Sequence, residues 1–274
     1  MPKGYRTHRR LTKKQPFWKR SFMIALISVV GGLSISGYLL IFSPFFQIQN
    51  LHIVGVQTIP LPEFQEFLWQ HISTRVLLFS TRSLFLVDAQ ELQEILASSY
   101  PQIANIQIGH TIPNKIRLWI KERFPVGLWC KDETKQECYA IDEQGVLFAK
   151  NDSIQGNPYF LSPHASQRVV QGERAIEPFF LHKLLGFKNS LEHFPSLQKN
   201  KLETVSFTVL SPEKVHVQTS EGWIIFINPQ ENLEWQILKL KTVLEKEVSV
   251  GKRLQLEYID LRFGDQAYVK YYEL

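Results

Sequence analysis

The chain has 274 residues, 44% hydrophobic and 12% aromatic, enough apolar material for one or two packed domains and too much for a disordered chain. Its formal net charge of +5 is unevenly placed. Eight of the 31 basic side chains (Lys3, Arg6, Arg9, Arg10, Lys13, Lys14, Lys19 and Arg20) lie in residues 1–20, where there is no acid, so the remainder carries 23 basic against 26 acidic groups. A basic tail beside an apolar run suits an anionic lipid surface. It argues against nucleic acid as a partner, because a nucleic-acid-binding domain would carry its positive charge on the fold.

The apolar run is Phe22 to Phe42, FMIALISVVGGLSISGYLLIF, in which Tyr38 is the only ionisable side chain. As a helix it would be roughly 31 Å long, about the thickness of a bilayer core. Gly31, Gly32 and Gly37 are tolerable in a membrane helix, and Trp18 and Tyr38 sit near its two interfaces. Lys19 and Arg20 abut the run and no charge follows until Glu63, which by the positive-inside rule puts the N-terminus in the cytoplasm. The expectation is a cytoplasmic tail over 1–20 and a single transmembrane helix over 21–43, ended by Ser43-Pro44. A cleaved signal peptide is the competing reading, with Ser34-Ile35-Ser36 as a small-x-small site. Against it, Tyr38 to Phe42 extends the run past the usual limit of about 15 residues.

Beyond the anchor, Gln47 to Val54 reads as a strand leading into Gly55, and Phe64, Phe67, Leu68 and Ile72 recur at helical spacing from Leu61. Asp88 is an N-cap with Glu91 three positions on, opening a second helix that carries Leu92, Ile95 and Leu96 and stops before Pro101. Strands follow near Ile103 to Ile108 and Lys115 to Ile120, joined through Pro113-Asn114. This β-α-α-β-β order over about 46–121 predicts an α+β layer of three strands on two helices.

Residues 122–274 read as a mainly antiparallel β domain interrupted by two helices. Short strands are expected at Val126 to Trp129, Tyr139 to Asp142 and Val146 to Ala149, and a hairpin at Val215 to Thr219 and Trp223 to Ile227 around Ser220-Glu221-Gly222. One helix starts near Pro178 and the other runs from Asn232 to Lys246 with Leu233, Ile237, Leu240 and Leu244 on one stripe. Residues 151–175 read as an irregular loop. Leu254 to Leu261 and Gln266 to Tyr272 close the chain as two strands around Gly264-Asp265. Cys130 and Cys138, the only cysteines, face each other across a predicted hairpin; they are either a disulfide in an oxidising compartment or two buried thiols.

No catalytic motif is present: no Walker loop, H-E-x-x-H, C-x-x-C, G-x-S-x-G or strand-to-helix G-x-G-x-x-G. His52, His71, His110 and His216 are scattered without a companion at ligand spacing, so no metal or cofactor is expected. Asp132-Glu133 and Asp142-Glu143 fall in turns, and Asn151-Asp152-Ser153 matches a glycosylation acceptor pattern that needs a eukaryotic secretory context. Neither catalysis nor a small-molecule substrate is expected.

Four stretches in order resemble a family. Phe46-Gln47-Ile48 to Val54-Gly55 behind a basic tail and one anchor resembles the opening of the bacterial cell-division proteins FtsQ and DivIB. Ile112-Pro113-Asn114-Lys115 through Glu122-Arg123-Phe124-Pro125-Val126 is similar to that family's proline turn, strand and Glu-Arg-x-Pro-Val junction. Ile141-Asp142-Glu143-Gln144-Gly145 resembles its aspartate-glycine hairpin, and Ile259-Asp260-Leu261-Arg262-Phe263 with Tyr268-Val269-Lys270 its closing strands.

The resemblance implies a POTRA domain at 46–121 and a β domain at 122–274. It further implies a non-enzymatic scaffold of the divisome, in the inner membrane at the septum with its bulk in the periplasm. FtsB- and FtsL-like proteins would be its partners. It places the partner-binding edge at Gln266 to Tyr272, with Arg262, Phe263, Gln266, Tyr268, Lys270 and Tyr272 as contacts. Strand propensity in that stretch and its place near the end of the chain agree with a free edge able to accept a partner strand, Arg262 being available to a partner carboxylate. In the opposing reading the strand lies inside the sheet, with Phe263 and Tyr268 in the core. Two other functions compete: a membrane-anchored POTRA protein of envelope export or assembly, and an anchored envelope enzyme with a dispersed site.

Overall fold

The computed structural model describes residues 17–76, 78–131, 134, 137–150, 158–162, 170–193 and 202–273. The tail residues 3–14, Asp132-Glu133 and the Asn151-Asp152-Ser153 pattern lie outside them. The chain is a mixed α+β protein: one long N-terminal helix, then a sheet-rich body. Packing divides it into two compact units, Met1–Val54 with Pro60–Leu92 and Gln107–Trp119, and Gly55–Ile59 with Gln93–Ile106 and Ile120–Leu274.

Helix α1 (Phe17–Phe42) contains a 22-residue stretch, Ser21–Phe42, of mean hydropathy 2.1 with none of its most apolar window buried. It is long and apolar enough to cross a membrane. After it come β1 (Asn50–Val54) and α2 (Leu61–His71), whose Phe64 and Leu68 are fully buried. A hairpin absent from the expected β-α-α-β-β order then intervenes, β2 (Thr74–Val76) and β3 (Phe79–Thr81). Its strands are three residues each, too short for a period of two to register. Helix α3 (Ala89–Ser99) begins where Asp88 Oδ1 accepts from the amides of Gln90 (2.8 Å) and Glu91 (3.3 Å).

Strands β4 (Ile103–Thr111) and β5 (Lys115–Glu122) complete a sheet of order β1-β5-β4, with β1 parallel to β5. Along β5, Ile116, Leu118 and Ile120 are buried while Arg117 and Trp119 face outward. Gly55 has φ +95°, and a Cβ there would sit 2.0 Å from the carbonyl oxygen of Ile120, so only glycine fits the turn. At the end of β5, the Glu122 carboxylate accepts from the amides of Gln57 (2.7 Å) and Thr58 (3.0 Å) and from the Thr58 hydroxyl (2.5 Å). Burial acts to raise its pKa, but these hydrogen bonds outweigh burial and hold it below the usual value. Arg123 pairs with Asp142 and donates from Nε to the Pro101 carbonyl (2.9 Å).

The larger sheet has nine strands: β6 (Gly127–Cys130), β7 (Cys138–Ile141), β8 (Leu147–Lys150), β9 (Tyr159–Leu161), β10 (Thr204–Ser211), β11 (Lys214–Thr219), β12 (Ile224–Ile227), β13 (Leu256–Asp260) and β14 (Tyr268–Tyr271). Their order is β14-β13-β12-β11-β10-β9-β6-β7-β8, and five of the eight neighbouring pairs are antiparallel. Two expectations fail here. The stretch read as an irregular loop contains β9, parallel to both β6 and β10 in the middle of the sheet, with Phe160 wholly buried. The terminal strand is Tyr268–Tyr271, so Gln266 and Tyr272 flank it rather than belong to it.

Helix α4 (Pro178–Glu192) turns Leu181, Leu184, Phe187 and Leu191 inward. Helix α5 (Leu233–Lys246), capped by Asn232 Oδ1 on the Trp235 amide (3.0 Å), adds Ile237, Leu240 and Leu244. A short α6 (Val250–Arg253) precedes β13. The helical side chains join Trp223, Ile225, Ile227 and Ile259 in one core, so the helices cover one face of the sheet. Cys130 and Cys138, register partners on β6 and β7, are bonded to each other. Gly145 shapes the β7–β8 turn at φ +74°, its missing side chain leaving room for the Ile176 carbonyl. Asp142 Oδ1 closes that turn through the amides of Gln144 (3.0 Å) and Val146 (2.9 Å).

Candidate functional site

Strand β14 is the outermost strand on its side of the sheet, paired only with β13 among the described residues. Ala267, Val269 and Tyr271 pack toward the core, and the alternating Tyr268 and Lys270 project from the other face. Tyr268 is 51% exposed and Phe263 52%, and their rings meet edge to face at 5.3 Å. The reading that buries both in the core is therefore wrong. The Tyr268 hydroxyl donates to Gln266 Oε1 (2.6 Å), which fixes the ring against the turn. Lys270 pairs with Glu257 on β13 (2.8 Å), and this contact raises its pKa. Tyr272, 57% exposed, follows the strand and is held by its amide to the Gln255 carbonyl (2.9 Å).

Arg262 is not a free guanidinium. Its Nε and Nη2 donate to Asp260 Oδ1 (2.9 Å) and Oδ2 (2.6 Å), and its amide also donates to Oδ1 (3.1 Å). Hydrogen bonding to Asp260 raises its pKa against the opposing pull of burial. The same guanidinium lies over the rings of Phe226 (5.4 Å) and Phe263 (5.6 Å). Two of its five N–H donors are committed to Asp260, and no other acceptor is in place for the guanidinium among the described residues.

Two groups that sequence reasoning passed over build this site. Lys239, 7% exposed on α5, sends its ammonium into the β13–β14 turn and donates to the carbonyls of Leu261 (2.6 Å), Gly264 (2.7 Å) and Gln266 (3.2 Å). Burial lowers its pKa, with Glu231, Asp265 and Asp260 pulling the other way. The available signal was a lysine on the inward stripe of α5 beside Gln236 and Leu240. The second group is an aromatic row on the uncovered face: His216 meets Phe226 at a tilt (4.2 Å), and Phe226 stacks on Tyr258 (4.8 Å). Burial and then the charges of Lys214 and Arg262 lower the His216 pKa, favouring a neutral ring within the row.

A separate cleft of about 400 Å³ is lined by Trp129, Phe160, Phe179 and Phe180. Among the described residues Glu177 is the one ionisable side chain in its lining. It offers apolar surface rather than a set of converging acid and base groups.

No family model matches the chain, and no curated protein matches it.

Proposed function

We infer that the protein is a bitopic scaffold of the FtsQ type in the bacterial division machinery, with the POTRA region at 46–121 and the β domain at 122–274. Its short tail lies in the cytoplasm, α1 spans the inner membrane, and the bulk stands in the periplasm at the septum. The observation that carries the reading is the outermost strand β14 beside the exposed Phe263–Tyr268 pair. The ordered motifs from Phe46 to Lys270 support it.

In this role a strand of an FtsB-like partner, itself associated with an FtsL-like protein, adds to β14 through main-chain hydrogen bonds. Phe263 and Tyr268 supply apolar area beside it, and the uncommitted donors of Arg262 reach a partner carboxylate. Lys239 acts at a distance as a positioning residue by holding the turn that presents Arg262 and Phe263.

Phe263→Ala and Tyr268→Ala are each expected to weaken capture of the FtsB-like partner about tenfold, the loss of one exposed aromatic anchor. Phe179→Ala, in the remote cleft, should leave capture unchanged. Undiminished capture by both edge variants removes the assigned surface. Uniform envelope fluorescence of a tagged protein in dividing cells, in place of a mid-cell band, removes the division role.

A further inference from the structure

The end of α1 is not followed by a loose tether. Its last carbonyls, which a helix leaves unpaired, are taken up by the folded chain. The Ser43 amide donates to Leu39 (3.0 Å), Ser83 Oγ to Leu40 (2.9 Å), and both Thr81 Oγ1 and Gln47 Nε2 to Ile41 (2.7 Å each). Gln47 also accepts from the Arg82 amide (2.7 Å) and bridges to Ser83, so the strand end of the β2–β3 hairpin is fastened to the end of the helix. Phe79 of that hairpin sets its ring edge to face on Phe42, the final residue of α1, at 6.1 Å.

Around this junction the surface is apolar. Leu78 is 92% exposed, Phe79 66%, Phe45 62% and Phe85 52%. Phe45, Phe46 and Phe85 form a chain of ring contacts at 5.0 and 5.3 Å. Ile112, 69% exposed, belongs to the same end of the sheet. Its turn is tied back by the Gln49 amide to Asn114 O (3.1 Å), while Gln49 Nε2 reaches Pro44 O (3.3 Å). The segments 43–49 and 73–87 contain no Asp or Glu, and the charges they carry are Arg75 and Arg82. Arg82 lies over the Trp69 ring at 5.2 Å.

We propose that this end of the protein is a lipid-docking face: the β2–β3 hairpin, with Phe45, Phe85 and Ile112, seats on the outer surface of the bilayer that α1 crosses. The proposal rests on the reading of α1 as a membrane-spanning helix. If Phe42 ends the span, the side chain packed on it lies at the boundary between hydrocarbon and headgroups. Leu78 adjoins it in sequence. Exposed leucine and phenylalanine side chains gain from burial in the acyl region, while arginine and tryptophan favour the headgroup level. Arg75 and Arg82 suit anionic headgroups, with Glu66 lining the same cleft as Arg82. The patch is continuous with the apolar surface of α1, which favours the same bilayer as occupant over a separate protein.

The test places one environment-sensitive fluorophore at a time on the full chain in vesicles of zwitterionic and anionic phospholipid, the native cysteines being joined to each other. Leu78→Cys should show blue-shifted emission and strong quenching by nitroxides on the upper acyl chain. Val54→Cys lies four residues along β1 from the strand end beside the Ile112 turn, about 13 Å away, and should show neither. Ile27→Cys reports the anchor through nitroxides deep in the bilayer. Deep quenching at 27 with a water-exposed label at 78 overturns the docking face and leaves the anchor standing. An unquenched label at 27 overturns the anchor reading and the docking face with it. A blue shift at 78 that appears only when a partner protein is added, with no nitroxide quenching, assigns the patch to protein and also overturns the proposal.

Discussion

Asp260 and Arg262 are two positions apart, yet they are the most strongly coupled charges near the candidate edge. Asp260 is 5% exposed, so removing the Arg262 side chain leaves a buried carboxylate with the residue 262 amide and the more distant Lys239 charge, and removing Asp260 frees the guanidinium that lies over Phe226 and Phe263. Either loss costs more than the pair contributes, because the surviving group keeps its desolvation penalty. Arg262→Ala and Asp260→Ala should each destabilise the fold by about 2 kcal/mol in urea titration. The double variant should lose less than the sum, with a coupling of about 1 kcal/mol. Strict additivity would mean that the pair does not act as a unit. One consequence bears on the binding test: reversing the charge of Arg262 would disturb the fold, so Phe263 and Tyr268, both half exposed, are the cleaner probes.

Secondary-structure elements are joined here by side chains as much as by packing. Glu122 closes the loop after β1, Asp142 closes the β7–β8 turn, and Lys239 reaches from α5 into the β13–β14 turn. Between β6 and β7 the link is covalent. Cys130 and Cys138 are fully buried and eight residues apart, so the bond closes a short loop. Its removal should cost about 2–3 kcal/mol, mainly through the unfolded chain. Cys130→Ser with Cys138→Ser should lower the melting temperature while leaving partner capture intact, since the pair lies near the end of the sheet opposite β14. The wild-type protein extracted from cells should resist alkylation until reduced. Free thiols in that sample would contradict the bonded pair and the oxidising compartment it implies.

For the whole molecule, the deciding question is whether α1 remains attached. Cleavage at Ser36 would keep the Leu40 and Ile41 carbonyls on Gln47, Thr81 and Ser83 but leave a helical stub far too short to cross a bilayer. Intact mass of the membrane-extracted protein should include residues 17–42. Protease added to spheroplasts should remove the body but spare a fragment containing the N-terminal tail. A mature chain that starts after residue 36 would remove the anchor, and a body shielded from external protease would reverse the proposed topology.

Much of this architecture was written in local pattern. An uncharged run of 21 residues after Lys19-Arg20 announces α1, because it makes one helix long and apolar enough to cross a membrane. The stripe Leu233, Ile237, Leu240 and Leu244, the Asp88 cap and the alternation along β5 each declared their element by periodicity or capping chemistry. What stayed hidden depends on contacts between residues distant in the chain. Strand β9 has three residues and exists because β6 and β10 flank it, so no window of its own sequence could announce it. The commitment of Arg262 to Asp260, the reach of Lys239 into the terminal turn and the apolar face gathered from Phe45, Leu78, Phe85 and Ile112 arise only when the backbone brings those positions together. Periodicity records which side of an element is apolar; it carries no record of which element will be opposite, and that pairing decided the site.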